Sequence, residues 1–95
     1  MSKKKPLKLL IVYTMEGCSW CEKFKDLLKR SRVKYKERDI EKFNEEYEMF
    51  KEATQNEFVP AFMILDVETE KAELFAPDRD YQDLDEALMI VKGKL

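Results

Sequence analysis

Two cysteines, Cys18 and Cys21, are the residues whose types and spacing most clearly suggest chemistry in this sequence. They form a C-x-x-C pair, and the chain has no other cysteine. Disulfide exchange needs a thiolate as nucleophile, and a free cysteine with a pKa near ~8.5 is only slightly ionised at neutral pH. A second thiol one helical turn away can resolve a mixed disulfide intramolecularly. The pair therefore indicates reversible dithiol–disulfide chemistry, provided that the fold favours the thiolate.

The elements predicted around the pair supply that condition. The apolar run Leu7–Thr14 is typical of a strand buried on both faces. A helix is predicted from Ser19 to about Ser31, because apolar residues recur there at helical spacing. Free backbone N–H groups and the dipole at a helix start favour an anion. We therefore expect Cys18 to be the exposed, attacking thiol and Cys21, which faces inward, to be the resolving thiol.

Other roles for the two cysteines are less favoured. A structural disulfide that closes so small a ring would remove only about 2 kcal/mol of chain entropy. A zinc site would lack two of its four usual ligands, because the chain has no His and no further Cys, so no metal is expected. Only carboxylates or a second chain would complete such a site. The lack of His also excludes Ser-His and Cys-His nucleophile pairs. Two inert cysteines remain a third alternative.

Length and charge limit the remaining functions. The 95 residues are predicted to form one domain, 1–95, and 18 Lys and Arg against 20 Asp and Glu give a net charge of −2. That balance argues against nucleic acid as the main ligand. No apolar stretch approaches the ~20 residues of a membrane span, and the basic start, residues 1–6, lacks a secretory pattern. We expect a flexible tip at 1–6, no membrane association, a monomer and a reducing, cytoplasmic location.

A strand, a helix and a further strand are predicted after the cysteine-bearing helix. Val33–Ile40 alternates apolar and charged residues, which is typical of a strand near a sheet edge. Glu41 to about Thr54 is predicted as an amphipathic helix, whose apolar positions are Phe43, Tyr47, Phe50 and Ala53. The most apolar run, Phe58–Val67, is predicted to be a central strand.

The C-terminal part predicts a hairpin and a last helix. A turn at Glu68–Lys71 leads into a short strand, Ala72–Ala76, which pairs back on the preceding strand. A loop at Pro77–Arg79 follows, and Asp80 is expected to cap the last helix. The predicted buried stripe of this helix consists of Leu84, Leu88 and Val91. The predicted element order is therefore β-α-β-α-β-β-α.

Three segments carry a resemblance to a known family. Tyr13–Cys21, followed by Phe24 and Leu27-Leu28, resembles the active-site strand and helix of the glutaredoxins, in the thioredoxin superfamily. Val59-Pro60 before a strand is similar to the cis-proline segment of that superfamily, and Tyr81–Leu84 is similar to the glutaredoxin segment that helps to hold glutathione. The resemblance covers nearly the whole chain. It implies an α/β, thioredoxin/glutaredoxin-like fold, with a four-stranded mixed sheet flanked by helices.

The resemblance also implies a substrate groove. A cis Val59–Pro60 bond beside the thiols would turn the Val59 backbone N–H and C=O outward, where they could pair with the substrate chain next to its cysteine. Spacing alone would favour a trans Pro60, because only ~5–6% of X-Pro bonds in folded proteins are cis. Trp20 keeps an aromatic side chain beside the thiols and is expected to form a wall of the groove. Packing on the helix surface is the alternative for this residue.

Glutathione is the reductant that the resemblance implies, and Tyr81 and Gln82 lie in the segment implied to hold it. Arg79 and Lys23 are the cations that could help to bind it. Its two carboxylates need positive partners or free backbone N–H groups. Glu16 and Glu57 would repel those carboxylates. Other departures from the family pattern are Met15 where Lys is common, Ser19-Trp20 for Pro-Tyr, Phe58 for Thr, and Arg79-Asp80 for Gly-Gly. The sequence therefore supports the redox chemistry more firmly than it supports glutathione.

The leading functional hypothesis is a thiol–disulfide oxidoreductase that reduces protein or glutathione mixed disulfides through Cys18 and Cys21. In a close variant, the protein is an electron donor to a particular protein and is re-reduced by a thioredoxin reductase. Ser19 keeps a second class open, because some glutaredoxins with Ser at this position bridge an iron–sulfur cluster between two protomers with two glutathiones. An adaptor that uses the groove for binding only is a third class.

Overall fold

A four-stranded mixed sheet forms the centre of the computed structural model, which describes residues 8–95. The strands are β1 (Lys8–Thr14), β2 (Lys36–Asp39), β3 (Ala61–Asp66) and β4 (Lys71–Phe75). Their order is β2-β1-β3-β4, with β1 parallel to β2 and β3 antiparallel to both of its neighbours. The helices are α1 (Ser19–Arg30), α2 (Asn44–Thr54) and α3 (Leu84–Lys94). The predicted α/β fold class, element order and mixed sheet are confirmed.

Alternation along β1 builds a separate core on each face of the sheet. Leu10 and Val12 pack with residues of α1 and α3, while Ile11 and Tyr13 pack with residues of α2. All four are buried, which explains why this strand is apolar throughout. The first core also contains Phe24, Leu28, Phe62, Ile64, Tyr81, Ala87 and Val91, and the second contains Tyr47, Phe50 and Ala61.

The strands β2, β3 and β4 differ in extent from the prediction, and β4 spans Lys71–Phe75 rather than Ala72–Ala76. The segment Val33–Ile40 contributes only the four residues of β2, at the sheet edge as expected. The run Phe58–Val67 contributes six residues to β3. The strand begins after Pro60, because proline lacks the N–H that a strand ladder requires. Leu7, predicted to begin the first strand, and the predicted flexible tip, residues 1–6, lie outside the described residues.

The second helix begins at Asn44 rather than at Glu41, because a turn on Asp39 precedes it. The Asp39 carbonyl oxygen accepts the N–H groups of residues 42 and 43 at 3.0 and 2.9 Å, and its carboxylate accepts the Glu41 N–H at 2.8 Å. Ala53 was predicted to lie on the buried side and is exposed, whereas Thr54 is buried. Within residues 8–95, no helix is long and apolar enough to cross a membrane.

The last helix begins later than predicted, because a different aspartate caps it. Asp83 Oδ1 accepts the Glu86 N–H at 2.9 Å, which is the usual N-cap contact. The predicted cap, Asp80, instead accepts the Ala76 N–H at 2.8 Å and so stabilises the loop before the helix. The buried residues of α3 are Ala87 and Val91, while Leu84 and Leu88 are half-buried.

A hydrogen-bond network at the end of β1 ties this strand to β2 and α1, just before the cysteine pair. The hydroxyl of buried Thr14 donates to Glu37 Oε2 at 2.7 Å, and Lys25 Nζ donates to the same oxygen at 3.0 Å. Burial alone would raise the pKa of Glu37, but the hydrogen bonds from Thr14 and Lys25 outweigh it and lower the pKa from its usual 4.5. The ionised carboxylate therefore stabilises this junction.

We expect Thr14→Val to lower the free energy of unfolding by about 1 kcal/mol near neutral pH, because the side-chain shape is kept while one hydrogen bond to a partly exposed carboxylate is lost. Because folding lowers the pKa of Glu37, its ionised carboxylate stabilises the protein above pH 4.5. This stabilisation is lost as the pH falls through the pKa of Glu37 in the folded protein. Urea unfolding of both proteins at neutral and acid pH measures this. An equal difference at both pH values would contradict the role of the ionised carboxylate.

Candidate active site

Cys18 lies at the N-cap of α1, as the sequence predicts. Its sulfur accepts a hydrogen bond from the Cys21 N–H at 3.1 Å. The preceding loop turns at Gly17, whose φ of +80° lies in the left-handed region that favours glycine. The Cys18 N–H closes this turn by donating to the Met15 carbonyl at 3.3 Å. A backbone amide directed at the sulfur stabilises a thiolate, so the geometry supports Cys18 as the nucleophile.

The two cysteines differ in accessibility. Cys18 is half-buried, whereas Cys21 is 0% exposed. They are joined as a disulfide, and their Cα atoms are 5.2 Å apart. A disulfide on another molecule can therefore approach only the first sulfur. The attacking role of Cys18 and the resolving role of Cys21 stay predictions.

The Val59–Pro60 segment lies beside the cysteine pair. The Val59 carbonyl oxygen is 3.9 Å from Cys18 Sγ, although the two residues are 41 positions apart in the chain. The Val59–Pro60 peptide bond is cis, as the resemblance implied. The ladder between β1 and β3 begins only at Ala61, so Val59 does not pair within the sheet. No backbone group within residues 8–95 accepts the Val59 N–H. Val59 thus presents backbone groups next to the reactive sulfur.

Tyr81 lies beneath this segment rather than on the groove surface. It is 1% exposed, and its hydroxyl donates to the Pro60 carbonyl oxygen. Its ring stacks on Phe62 with 5.6 Å between the ring centroids. Burial, and after it the charge of Asp80, raises the pKa of Tyr81 far above its usual value, so the hydroxyl stays a donor. The residue predicted to bind substrate is therefore placed to hold Pro60.

We expect Tyr81→Phe to lower the free energy of unfolding by about 1–3 kcal/mol, because the buried Pro60 carbonyl loses its donor while the ring packing is kept. The rate of disulfide reduction should fall as well, since the Val59 backbone is no longer held in place. Urea unfolding and single-turnover kinetics measure the two effects. A variant with unchanged stability and rate would show that the hydrogen bond does not position the segment.

Asn56 also positions the Val59–Pro60 segment, and the sequence interpretation missed it as part of a polar connector. Its Nδ2 donates to the Pro77 carbonyl at 2.7 Å, and its Oδ1 accepts the Phe58 N–H at 2.9 Å. Asn side chains commonly form hydrogen bonds to nearby backbone groups in loops, so the residue type alone indicated a structural role for Asn56. The partner on the loop before α3 was not visible in the sequence. Asn56 thus joins two loops that are distant in the chain.

Large apolar side chains flank the two segments that meet at the reactive sulfur. Trp20, which stands between the cysteines, is 41% exposed, so part of its surface is free to contact a substrate. Met15 is 41% exposed and Phe58 is 59% exposed. The sequence interpretation placed Phe58 in a strand and gave Met15 no surface role. Their exposure follows from where β1 ends and β3 begins, which an apolar pattern does not show.

Arg79 and Gln82, the other predicted substrate-binding residues, lie exposed in the loop before α3. Arg79 Nη1 donates to the Asp80 carboxylate at 3.1 Å and to the Leu74 carbonyl at 3.3 Å. The Gln82 backbone N–H donates to Glu86 Oε1 at 2.6 Å. The structure therefore places Val59 beside Cys18 and Tyr81 against Pro60. Arg79 and Gln82 instead donate hydrogen bonds to acceptors that are near them in the chain.

A comparison with protein families covers the segments that carry this geometry. The Glutaredoxin family model matches residues 10–67, which is more than half of the chain and extends from β1 through both cysteines and the Val59–Pro60 segment to β3. No curated protein matches the chain. The family match agrees with the C-x-x-C pair at the start of α1 and with the thioredoxin-like sheet. The chain belongs to the glutaredoxin family and is a thiol–disulfide oxidoreductase.

Proposed function

We propose that the protein reduces disulfides of protein substrates, and mixed disulfides between proteins and glutathione, through the Cys18–Cys21 dithiol. One observation carries the proposal: Cys18 Sγ accepts the Cys21 N–H at 3.1 Å and lies 3.9 Å from the Val59 carbonyl oxygen. A thiolate at a helix start, beside a Val59 N–H that donates to no backbone group of residues 8–95, suits attack on a disulfide that is carried by an extended chain.

The reaction consists of two exchanges. In the first, the Cys18 thiolate attacks one substrate sulfur, a bond forms between the two, and the other substrate sulfur leaves as a thiolate. In the second, Cys21 gives its proton to solvent and attacks Cys18 Sγ, so the Cys18–Cys21 bond forms and the substrate leaves reduced. Two electrons pass to the substrate, and the protein ends in the disulfide form that the structure shows.

Backbone groups and apolar side chains would hold the substrate for the first exchange. The Val59 N–H and C=O pair with the substrate backbone beside its cysteine, in the manner of an added strand. The exposed part of Trp20 forms a wall of the groove. Pro60 is buried beside Val59. Tyr81 is a positioning residue, because its hydroxyl donates a hydrogen bond to the Pro60 carbonyl oxygen.

A reductant must restore the dithiol after each turnover. Glutaredoxins commonly use glutathione, and the reductant proposed here is a thiol donor of that class or a thioredoxin reductase. Two molecules of such a monothiol, which leave joined as their own disulfide, or one turnover of the reductase return the two electrons. Within the part of the chain that the structure describes, no group of at least three His, Cys, Asp or Glu side chains is placed to hold a metal ion. The cluster-bridging role that Ser19 suggests stays a prediction.

A single-turnover experiment tests this function. Reduced protein is mixed with an equal amount of a peptide whose cysteine forms a mixed disulfide with glutathione. Free peptide and free glutathione should appear, and mass spectrometry should show the protein with a Cys18–Cys21 disulfide. The protein in its oxidised form is the control, because it has no thiol with which to attack. Equal product release from both forms, or from neither, would refute the proposal.

We expect iodoacetamide to alkylate Cys18 of the reduced protein with a midpoint below the pH of about 8.5 that is typical of a free cysteine. The reason is the hydrogen bond from the Cys21 N–H, which stabilises the thiolate. Peptide mapping after brief alkylation identifies the modified residue at each pH. A midpoint at or above the free-cysteine value, or earlier alkylation of Cys21, would contradict the assignment of the attacking thiol.

A further inference from the structure

We infer that Glu16 and Glu57 make the site select disulfides on basic polypeptide segments and discriminate against glutathione. The occupant is an extended segment of a protein substrate, with Lys or Arg close to the cysteine that forms the disulfide. This inference rests on the proposed function and specifies its substrate class. It depends on the charges around Cys18, on a groove beside Glu57, and on the start of α3.

Two carboxylates lie close in the chain to the atoms that meet at the reactive sulfur. Glu16 precedes Cys18 by two residues, and Glu57 precedes Val59 by two residues; both glutamates are exposed. Within residues 8–95, no Lys or Arg forms a salt bridge with either of them. Their charges are therefore not neutralised by a salt bridge within the described part of the chain, and they attract a cationic segment and repel an anionic one.

The negative charge continues along a groove of about 510 Å³ that Glu57 shares with α2. Lys51 also lines it, but its Nζ is paired with Glu48 at 3.1 Å, and neither Glu52 nor Glu57 forms a salt bridge with any Lys or Arg of residues 8–95. Burial, and after it the charges of Glu57 and Glu48, raise the pKa of nearby Tyr47, in line with a negative potential here. Met49, 74% exposed, adds apolar surface that suits the aliphatic stem of Lys or Arg.

Side-chain carboxylates already occupy part of the start of α3. Free N–H groups at a helix start can bind a carboxylate, but here the Gln82 N–H donates to Glu86 and the Glu86 N–H donates to Asp83. Asp85 adds a further negative charge in the first turn. Arg79, the nearby cation, is paired with Asp80 at 3.1 Å. These contacts weigh against binding of a glutathione carboxylate at the start of α3.

The apolar rim also suits a polypeptide better than a tripeptide. Met15, Trp20 and Phe58 are each at least 41% exposed, and they flank both segments that meet at Cys18. Glutathione has no large apolar side chain to cover them. A protein segment supplies such side chains on both sides of its cysteine, together with the backbone that pairs with Val59.

Matched peptide disulfides test the selectivity. Two peptides differ only in Lys or Glu on both sides of one cysteine, and each carries the same neutral thiopyridyl group on sulfur; glutathione with that group is the third substrate. The release of thiopyridone by the reduced protein gives each single-turnover rate. Rates with dithiothreitol correct for intrinsic reactivity. At low salt, the basic peptide should react about tenfold faster than the acidic peptide or glutathione, at the low end for electrostatic steering.

Variants and salt assign the effect to the two carboxylates. The double variant Glu16→Gln/Glu57→Gln should reduce the preference several-fold, and salt near 1 M should do the same by screening. The control is Glu68→Gln, in the turn after β3, at the strand end remote from Val59; it should keep the full preference. Equal rates for all three substrates, or an unchanged preference in the double variant, would overturn the inference while the proposed function stands. No thiopyridone from any substrate would overturn both.

Discussion

Cys18→Ser should abolish disulfide reduction, while Cys21→Ser should stop the reaction after its first exchange. A serine hydroxyl stays protonated where the thiolate would form, so we expect a loss on the order of a thousandfold or more for Cys18→Ser. In Cys21→Ser the attacking sulfur and its helix-start position are kept. The first bond therefore forms, and the mixed disulfide with the substrate accumulates because no second thiol releases it.

Intact-mass measurement distinguishes these two outcomes. After mixing with a glutathionylated peptide, Cys21→Ser should carry one adduct on Cys18 that dithiothreitol removes, whereas Cys18→Ser should carry none. Urea unfolding checks that both variants fold: each loses the stabilisation of about 2 kcal/mol from the disulfide, and Cys21→Ser also places a hydroxyl at a 0% exposed position. A stable adduct on Cys21 of the Cys18→Ser variant, with none on Cys18 of the Cys21→Ser variant, would reverse the assigned roles.

Phe62→Ala should lower the free energy of unfolding by about 3–5 kcal/mol, the largest stability effect that we expect. Phe62 is 0% exposed and contacts Phe24 of α1 and Phe75 of β4, with ring centroids 5.7 and 5.0 Å apart. It also stacks on Tyr81. The ring thus connects the helix that carries the cysteines with the residue that holds Pro60, and a cavity there disturbs both sides of the site.

Phe58→Ala is the matched control, because it removes the same side chain four positions earlier in the chain. Phe58 is 59% exposed, so we expect a change within about 0.5 kcal/mol. Thermal and urea unfolding measure both variants, and each kcal/mol should shift the midpoint temperature by about 4–8 °C for a domain of this size. Similar losses for the two variants would mean that Phe62 is not central to the core.

The placement of the cysteine pair could be predicted because an apolar strand pattern ends there and a helical pattern begins. The apolar run of β1 and the helical spacing that begins at Ser19 together fix a strand-to-helix junction at Cys18. The Val59–Pro60 segment could be related to that junction only through the family resemblance. Nothing in its local sequence shows that a carbonyl 41 residues away lies 3.9 Å from the sulfur.

The wrong helix cap arose because two residues satisfied the same local rule. Asp80 and Asp83 are both suitable helix caps, and the choice depended on the Ala76 N–H, a tertiary contact that occupies Asp80. Tyr81 was assigned to substrate because its segment matched a family pattern. Its inward orientation depends on Phe62, in another element. Sequence patterns give the residue types available at a position, while packing determines which group each side chain meets.

The hydrogen bonds of Asn56 and Tyr81 have a consequence for where the functional unit ends. Each links the segment around Pro60 to the loop after β4, through the Pro77 carbonyl and through the Tyr81 hydroxyl. That loop lies beyond residue 67, where the family match stops. Residues 10–67 therefore do not contain all the groups that position the Val59–Pro60 backbone. The C-terminal third of the chain supplies the remaining hydrogen bonds, on the buried side of that segment.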